Sequence, residues 1–581
     1  MPGIYGIANS KNSKFDIENM TKAMHLYEHF IQDELFHDGN IFASRIHIGK
    51  VGEQTSPIRS ANSLVWVEGE AYNLKEVGEQ LAIATTSIGA LLLDAEIQGK
   101  LNQALNKLDG YFCAAIYNEQ TQKIKLISDR YGMRVLYWYF KDNVFTWGGE
   151  VKAILAAEGI DKTLDQSSYE CFMDLGYLMG EHTWFEHIKL IKPATVLEFD
   201  INTSSIVQEY YWTWGEIKPS NLSFDQAVDE LGELFVEAVA RRFNPDEKIG
   251  ISLSGGLDSR AIFAAVDHLY PEYKGYAYTF GIPECDDITI AEKVISRTKN
   301  WMHDKFYFSN DNWFKPRFTR VWNTDGMMNL LHMHGSEFLG EVSGHADINL
   351  NGYAGDAVFG GSLISSSEKL QDKGPTKKTA EMIYGRHAEQ YDDVFFNIEH
   401  FDHYLYMNRV RRFTNGGSIN GLVSVEQRKP FFDNKVMELI FSIPDAYRVN
   451  NKLYSAMLQK YFPTFFKDIP WEQTGKPAAP VKTPTVPRRA FNKGIRILKK
   501  LFKVGGSKGY TDYPTWIRDK AVASELQKLL GNENAAYKKI TEVNLADKYL
   551  KPHLKNKLIN NSEKILRAAT IEIYLKKALG D

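Results

Sequence analysis

The sequence is poor in cysteine and contains no long hydrophobic run. Among its 581 residues only Cys113, Cys171 and Cys285 are cysteines, and their scattered spacing matches neither a zinc site nor a disulfide framework. We therefore expect a protein of the reducing cytoplasm. No run of eighteen apolar residues and no N-terminal signal pattern is present, so we expect neither a membrane-spanning helix nor an export signal.

Neither sign of charge dominates the chain. The 69 Lys and Arg residues against 73 Asp and Glu residues give a formal net charge of −4, which offers no reason to expect a nucleic-acid partner. The apolar content of 44% and the charged content of 24% are typical of a folded protein. At this length we expect two or three domains.

Two patterns of hydrophobicity divide the chain near residue 210. Before it, short alternating apolar runs separated by Gly, Asn and Asp predict a layered, β-rich α+β domain with covering helices over residues 1–210. After it, a helical pattern from Ser223 to Ala240 leads into strand-like runs at 248–253, 275–280 and 348–351. This alternation predicts an α/β domain with a parallel sheet over 211–485, and we expect a basic, helical C-terminal extension over 486–581.

A glycine-rich turn follows the first of these strands. Its sequence, Ser254-Gly255-Gly256-Leu257-Asp258-Ser259, leads into an apolar helix, and the two adjacent glycines permit a tight turn. Backbone N–H groups, serine hydroxyls and a helix N-terminus together favour phosphate binding. Asp258 is then best explained as a magnesium ligand. The alternative is an ordinary serine- and glycine-rich turn in which Asp258 caps the helix.

A second glycine-rich turn, residues 351–361, follows a strand about a hundred residues later and carries Asp356. The carboxyl ends of strands in one parallel sheet face the same crevice. We therefore expect Asp258 and Asp356 to share magnesium ions. The alternative is that Asp356 only satisfies backbone donors of its own loop.

The two turns, their order and their separation resemble the synthetase domain of asparagine synthetase and its relatives, which include β-lactam synthetase and lasso-peptide cyclases. The first turn is similar to the PP-loop of ATP pyrophosphatases. The resemblance extends to residues 425–433, VEQRKPFFD, and to three strings of the first domain that resemble the glutaminase half, at 67–73, 108–112 and 129–132. It implies an N-terminal nucleophile (Ntn) type domain followed by a PP-loop ATP pyrophosphatase domain with a helical C-terminal region.

The resemblance also implies a site that uses ATP and Mg²⁺. Two lysines, Lys452 and Lys476, fall where the family keeps lysines for the phosphates and the acyl transition state, although a lysine is more often simply solvated. The ATP-binding residues that it implies are Leu253, Ser254, Gly255, Gly256, Asp258, Ser259 and Gly352, the metal ligands are Asp258 and Asp356, and the catalytic residues are Tyr353, Lys452 and Lys476.

Tyr353 stands where asparagine synthetase has a glutamate and β-lactam synthetase has a tyrosine. In β-lactam synthetase that tyrosine helps to deprotonate the amine together with a glutamate, for which Glu389 and Glu399 are candidates here. Tyr353 is accordingly predicted to belong to a general base. The alternative is an aromatic wall of the substrate pocket.

The first domain departs from the family pattern at two positions. Glutamine-hydrolysing members begin with a processed N-terminal cysteine that acts as the nucleophile, whereas this chain has Pro2. The asparagine of the Asn-Gly-Glu turn is replaced by Glu68, whose carboxylate would repel an oxyanion. Cys113 lies within an apolar run and is predicted to be core. We therefore predict an inactive glutaminase.

The sequence as a whole predicts an AMP- and pyrophosphate-forming amide ligase that joins a small-molecule or peptide carboxylate to an amine, for example in lasso-peptide macrolactam formation. The alternatives are an asparagine synthetase that uses free ammonia, a β-lactam synthetase-like cyclase, and a pseudoenzyme or partner-binding subunit. A precursor peptide or a partner protease is a further possible partner. The basic segment 488–503 either contacts such a peptide leader, an anionic carrier or a membrane surface, or packs on its own domain.

Overall fold

The structure is a computed structural model that describes residues 2–9, 13–52, 55–85, 87–309, 312–365, 377–388, 391–400, 402–480 and 509–580. Glu389 and the basic segment 488–503 therefore lie outside the described residues. No helix in the described part of the chain is long and apolar enough to cross a membrane.

Two antiparallel sheets make up the first half of the chain. One has the strand order β11-β9-β10-β1-β4-β2, with β3 also paired to β4, and the other has the order β13-β12-β8-β7-β6-β5. The strands are β1 (Gly3–Ala8), β2 (Ile31–Gln32), β3 (Phe36–His37), β4 (Ile41–His47), β5 (Ile58–Ser60), β6 (Ser63–Ala71), β7 (Gly110–Asn118), β8 (Lys123–Ser128), β9 (Tyr137–Lys141), β10 (Val144–Gly148), β11 (Ile188–Leu190), β12 (Thr195–Asp200) and β13 (Ser205–Tyr210).

The two sheets face each other across an apolar layer. Ile4 and Phe145 from the first sheet meet Trp66, Cys113 and Phe199 from the second in one buried cluster, as the alternation of apolar residues along the strands requires. Helices cover the outer faces, so that this half is a helix–sheet–sheet–helix sandwich. They are Ser13–Met24, Leu74–Leu81, Ile88–Ile97, Leu101–Lys107, Val151–Leu155 and Gln166–Leu175.

A five-stranded parallel sheet organises the second half, in the order β16-β15-β14-β17-β18. Its first strand, β14, has β15 on one side and β17 on the other. The strand order reverses at this point, and ligands of such sheets bind in the crevice outside the carboxyl ends of the strands there. The strands are β14 (Ile249–Ser252), β15 (Tyr276–Gly281), β16 (Met302–Tyr307), β17 (Ile348–Leu350) and β18 (Glu426–Arg428).

Helices pack around this sheet. The predicted helix that precedes β14 is confirmed as Phe224–Arg242, with a capping box between Ser223 and Gln226. The other α-helices of the described ranges are Asp258–Leu269, Asp286–Ile295, Pro316–Asn323, Leu339–Ser343, Gly355–Val358, Ser362–Ser365, Lys377–Tyr384, Asp402–Leu405, Asn415–Gly421, Asn434–Ser442, Asp445–Arg448, Lys452–Tyr461, Pro463–Phe466, Tyr513–Trp516, Lys520–Leu530, Lys551–Lys555 and Ser562–Ala578. Tyr406–Thr414 and Ala546–Leu550 are π-helical.

The C-terminal helices pack into a core that they share with the rest of the chain. Helix Ser562–Ala578 belongs to a buried cluster that also contains Tyr5 of β1 and Trp313 of the second half. The guanidinium of Arg567 donates hydrogen bonds to the carbonyls of Met173 and Asp174. Residues 509–580 therefore share a core with both halves, whereas the boundaries at 210 and 485 stay predictions.

Buried ion pairs join the two halves. Arg428 donates to both carboxylate oxygens of Glu70 (2.9 and 2.8 Å) and also pairs with Glu247. Arg134 pairs with Glu426 at 2.8 Å. A buried charge is tolerated only when it is paired and hydrogen-bonded, so these contacts fix how the halves meet.

Candidate active site

A cavity of about 360 Å³ opens at the carboxyl ends of β14, β15 and β17. Both glycine-rich turns reach it, as their positions after β14 and β17 predict. Its walls are formed by Ser252, Leu253, Ser254, Gly256, Leu257, Asp258, Ser259, Thr279, Phe280, Asp287, His334, Asn351, Gly352, Asp356, Trp471, Glu472, Gln473 and Tyr510.

The first turn is held in shape by hydrogen bonds of its own. The Ser254 N–H donates to Oγ of Ser259 (3.0 Å), and the Gly256 N–H donates to Oγ of Ser254 (3.2 Å). The Gly255 N–H donates to Oδ1 of Asp287 at 2.8 Å. The oxygens of an incoming phosphate would replace these internal acceptors. Because the N–H donors are already held in place, the turn is preorganised for this replacement.

Asp258 and Asp356 meet where the two turns approach each other. Oδ2 of Asp258 accepts the Asp356 N–H at 2.9 Å, and Oδ1 accepts the hydroxyl of Tyr454 at 3.0 Å. Burial, and then the charge of Asp356, raises the pKa of Asp258 well above its usual range. A divalent cation between the two carboxylates would offset both the burial of the Asp258 charge and its repulsion by Asp356.

Gly352 makes this close approach possible. A Cβ atom at Gly352 would lie 2.8 Å from the backbone nitrogen of Ser259, so any side chain there would push the second turn away from the first. The glycine is thus required by the packing of one turn on the other.

The cavity has a strongly acidic lining. Four carboxylates, those of Asp258, Asp287, Asp356 and Glu472, reach it, and no Lys or Arg is among the described residues that line it. Burial, and then the nearby carboxyl of Asp287, raises the pKa of Glu472 to about 7. An anionic ligand can enter such a cavity only together with cations, which for a nucleotide are metal ions.

The two predicted metal ligands fit this requirement. No group of three or more His, Cys, Asp or Glu residues in the described part of the chain is arranged to hold a metal. Mg²⁺ is usually held by one or two carboxylates together with phosphate oxygens and water. Asp258 and Asp356 therefore suit a metal that arrives with a phosphate ligand.

Of the predicted ATP-binding and metal-binding residues, all but one line the cavity. Leu253, Ser254, Gly256, Asp258, Ser259, Gly352 and Asp356 form its walls. Gly255 contributes through its backbone, because its carbonyl accepts from Arg260 at 2.9 Å while its N–H donates to Asp287. Arg260 also donates to the carbonyl of Pro470 at 2.9 Å, which ties the turn to the loop that carries Glu472.

Tyr353 does not lie where a catalytic base of this cavity is needed, nor does it form its wall. Its side chain is 4% exposed and its hydroxyl donates to the carbonyl of Val410 at 2.7 Å. The ring packs edge-on against Phe432, and burial raises the pKa of Tyr353 well above its usual range. The chain turns at Ala354, which has a φ of +57°, and this directs Tyr353 into the apolar core. Its candidate partner Glu399 is exposed.

The two predicted lysines are exposed and do not belong to the cavity lining. Lys452 begins helix Lys452–Tyr461. Lys476 pairs through its backbone with Trp471, whose N–H donates to the Lys476 carbonyl at 2.7 Å. The structure thus places the Lys476 backbone, but not its side chain, in support of the loop that lines the cavity, and the catalytic role of both lysines stays a prediction.

The residues of the site that sequence reasoning missed include Asp287, His334, Tyr454, Glu472 and Tyr510. Asp287 had a signal, because acidic residues at the start of the helix that follows a strand such as β15 lie at the same sheet edge as the glycine-rich turns. The other four reach the site through tertiary packing.

The described residues of the first half present no exposed thiol beside the start of β1. Pro2 is buried directly before β1. The carboxylate of Glu68 lies 3.9 Å from Arg45 and 4.0 Å from Arg134. All three cysteines are buried, and burial raises the pKa of each thiol, that of Cys171 to about 12. A buried, neutral thiol is a poor nucleophile.

Comparison with known proteins agrees with this architecture. A family model for the glutamine amidotransferase domain matches residues 1–212, and a model for asparagine synthase matches residues 230–544. These matches define a two-domain protein in which a glutamine amidotransferase domain precedes an asparagine synthase domain. The chain belongs to the asparagine synthetase family.

The relatives are distant. A putative glutamine-hydrolysing asparagine synthetase of Methanocaldococcus jannaschii is 24% identical over 52% of this chain and 59% of its own length. Asparagine synthetase 3 of Bacillus subtilis is 23% identical over 68% of this chain and 71% of its own. The asparagine synthetase of Gallus gallus is 23% identical over 74% and 72%.

Among solved structures, a glutamine phosphoribosylpyrophosphate amidotransferase from B. subtilis is 12% identical. It covers 52% of this chain and 81% of its own, with a TM-score of 0.25. That score is too low to compare the folds.

Proposed function

We propose that this chain is an amide ligase that adenylates a carboxylate with ATP, releases pyrophosphate, and joins the acyl group to an amine without hydrolysing glutamine. The observation that carries the proposal is the meeting of Asp258 and Asp356, from two glycine-rich turns, in one acidic cavity at the reversal point of a parallel sheet.

Different residues of the cavity would bind the phosphates and the metal ion. The first turn offers the N–H groups of Ser254, Gly255 and Gly256 beside the start of helix Asp258–Leu269, a position that suits phosphate oxygens. Asp258 and Asp356 would hold Mg²⁺, which supplies charge neutralisation when bound.

Adenylation makes the carboxylate reactive. A carboxylate oxygen attacks the α-phosphorus, the bond from that phosphorus to the bridging oxygen breaks, and pyrophosphate leaves with the electron pair. In the second step the amine nitrogen attacks the acyl carbon and AMP leaves. Holding the amine beside the acyl-adenylate makes this second step effectively unimolecular.

The amine must also lose a proton. With Tyr353 buried elsewhere, the lining group best suited to accept the proton is the carboxylate of Glu472, because its pKa of about 7 lies near the working pH. The carboxyl of Asp287 lies beside it and contributes to this raised pKa of Glu472.

The source of the amine follows from the first half. Pro2 supplies no thiol, and Glu68, which stands in the position of the family's oxyanion-binding asparagine, carries a carboxylate that would repel an oxyanion. The amine therefore comes from solution or from the substrate itself. Free ammonia would make the chain an asparagine synthetase, whereas an amine within the substrate would give a lactam, as in lasso-peptide or β-lactam formation.

The test is ATP–pyrophosphate exchange with a panel of carboxylates that starts with aspartate. We expect exchange that depends on one class of carboxylate and falls at least a hundredfold in Asp356→Asn, because the variant loses a metal ligand. Asp347→Asn is the matched control. Asp347 directly precedes β17, the strand that the Asp356 turn follows, and it pairs with Lys50 outside the cavity. Absence of exchange with every carboxylate would favour a pseudoenzyme, and full exchange in Asp356→Asn would remove its metal role.

A further inference from the structure

One wall of the cavity is aromatic and uncharged. It stands at the carboxyl end of β15 and consists of Phe280, His334 and Tyr510. The rings of His334 and Tyr510 meet edge-to-face with centroids 4.9 Å apart, and Phe280 lies 5.9 Å from His334. The Tyr510 hydroxyl lies 3.3 Å from Nε2 of His334. This wall contrasts with the acidic side formed by the two glycine-rich turns.

The wall is held in place from behind. The Ile282 N–H donates to the Tyr510 carbonyl at 3.2 Å, which fixes Tyr510 to the end of β15. The fully buried Arg317 donates to the carbonyl of Leu330 and to the hydroxyl of Tyr513, both at 2.7 Å. One guanidinium thereby joins Tyr513, in the segment that carries Tyr510, to Leu330, in the segment that carries His334, so the wall is preformed.

A glycine is needed beside His334. Gly335 has a φ of +87°, and a Cβ atom there would lie 2.7 Å from Cε1 of Phe280. The close packing of the segment around His334 on Phe280 therefore depends on Gly335.

The wall stays neutral over the physiological pH range. Burial, and then the nearby charge of Arg317, lowers the pKa of His334 to about 3, and burial raises the pKa of Tyr510 above its usual value. A neutral aromatic surface with a hydroxyl suits a planar heterocycle, which can stack on one ring and meet the edge of another. Such a wall does not attract phosphate, for which the first glycine-rich turn offers N–H donors instead.

We propose that His334 and Tyr510 seat the nucleobase of ATP, which makes the C-terminal region a part of the nucleotide site. The inference rests on the proposed function, because it assumes that the phosphates of the same nucleotide bind at the first glycine-rich turn. Tyr510 reaches the cavity only because residues 509–580 pack into the shared core, so the base is recognised by a segment that follows the synthetase sheet by about eighty residues.

The experiment compares the binding of MgATP and of magnesium tripolyphosphate, which lacks the base, to the full-length chain by calorimetry. Tyr510→Ala is expected to weaken MgATP binding about tenfold, the order expected for loss of one base–aromatic contact, and to leave tripolyphosphate binding within twofold. Tyr510→Phe keeps the ring and is expected to bind MgATP within threefold of the wild type.

Tyr549→Ala is the matched control, because Tyr549 is a half-buried tyrosine of the same C-terminal region that does not line the cavity. In exchange assays Tyr510→Ala should raise KM for ATP with little change in kcat. Equal losses for both ligands, or no loss for either, would overturn the inference. Failure of the wild type to bind either ligand would instead overturn the proposed function.

Discussion

A buried lysine between the two halves of the chain should make stability depend on pH in a defined direction. Lys429 is 3% exposed, and its Nζ donates to Oδ1 of Asn415 at 3.0 Å. The same nitrogen lies 5.0 Å from the ring centre of Tyr111, in the first half, and 5.2 Å from that of Tyr353. Burial, and then the charge of Arg134, lowers the pKa of Lys429 from 10.5 to about 7.

The sign follows from proton binding in the two states. Between pH 7 and 10.5 the unfolded chain keeps the proton on Lys429 and the folded chain does not, so stability rises with pH in this window. Below pH 7 Lys429 is protonated in both states, and the folded state bears the full free-energy cost of burying its charge. Lowering the pKa from 10.5 to about 7 corresponds to a penalty of about 5 kcal/mol, an upper bound that local relaxation would reduce to about 2 to 4 kcal/mol.

The measurement is the free energy of unfolding of the wild type and of Lys429→Met at several pH values from 6 to 10. Methionine keeps the length of the side chain without its charge, so the variant should be more stable than the wild type at pH 7 by about 2 to 4 kcal/mol, less the cost of leaving the Asn415 acceptor unmatched. The advantage should shrink by up to about 1.4 kcal/mol per pH unit as the pH rises toward 10.

Lys435→Met serves as the control, because the Lys435 side chain is half exposed and pairs only weakly with Glu76 at 3.8 Å. Its effect on stability should stay small and independent of pH. A stability difference for Lys429→Met that does not vary between pH 7 and 10 would refute the reasoning, since it would mean that the buried amine is not neutral.

Three other changes test the site and its surroundings. Tyr454→Phe removes the hydroxyl donated to Asp258 and should weaken Mg²⁺ binding about three- to tenfold, measured by Mn²⁺ competition without turnover; unchanged affinity would contradict the positioning role. Tyr353→Phe should keep the exchange rate within twofold and lower stability by about 1 kcal/mol, and a loss of activity without a loss of stability would restore a catalytic role. Neither the wild type nor Pro2→Cys should release glutamate from glutamine, because Glu68 remains, and release by either protein would contradict the loss of glutaminase chemistry.

Local sequence patterns were sufficient to predict where the two glycine-rich turns lie. Each turn sits between a strand and a helix, and the carboxyl ends of parallel strands share one edge of the sheet. The approach of Asp356 to Asp258 follows from that geometry together with Gly352, which lacks the side chain that would separate the turns.

The orientation of Tyr353 could not be predicted from the sequence. It depends on the positive φ of Ala354 and on the hydrogen bond to Val410, which are set by the packing of the second turn on a distant π-helix. Spacing in the sequence shows that a residue belongs to a turn, but not which way its side chain points.

The residues contributed from a distance were also beyond sequence reasoning. Tyr510 reaches the cavity because Tyr513 and Trp516 pack into a cluster with Trp313, and Glu472 does so because Arg260 binds the carbonyl of Pro470. Such contacts join segments that are far apart in the chain, so neither periodicity nor turn composition contains a signal for them.

Transfer of isotope from the substrate to AMP tests the central claim most directly. The carboxylate that best supports exchange is prepared with ¹⁸O in both oxygens and incubated with ATP, Mg²⁺ and an amine. Adenylation at the Asp258–Asp356 cavity predicts that AMP carries one ¹⁸O atom and that pyrophosphate carries none, because the carboxylate oxygen becomes bonded to the α-phosphorus. Formation of ADP, or of AMP without the label, would contradict the account.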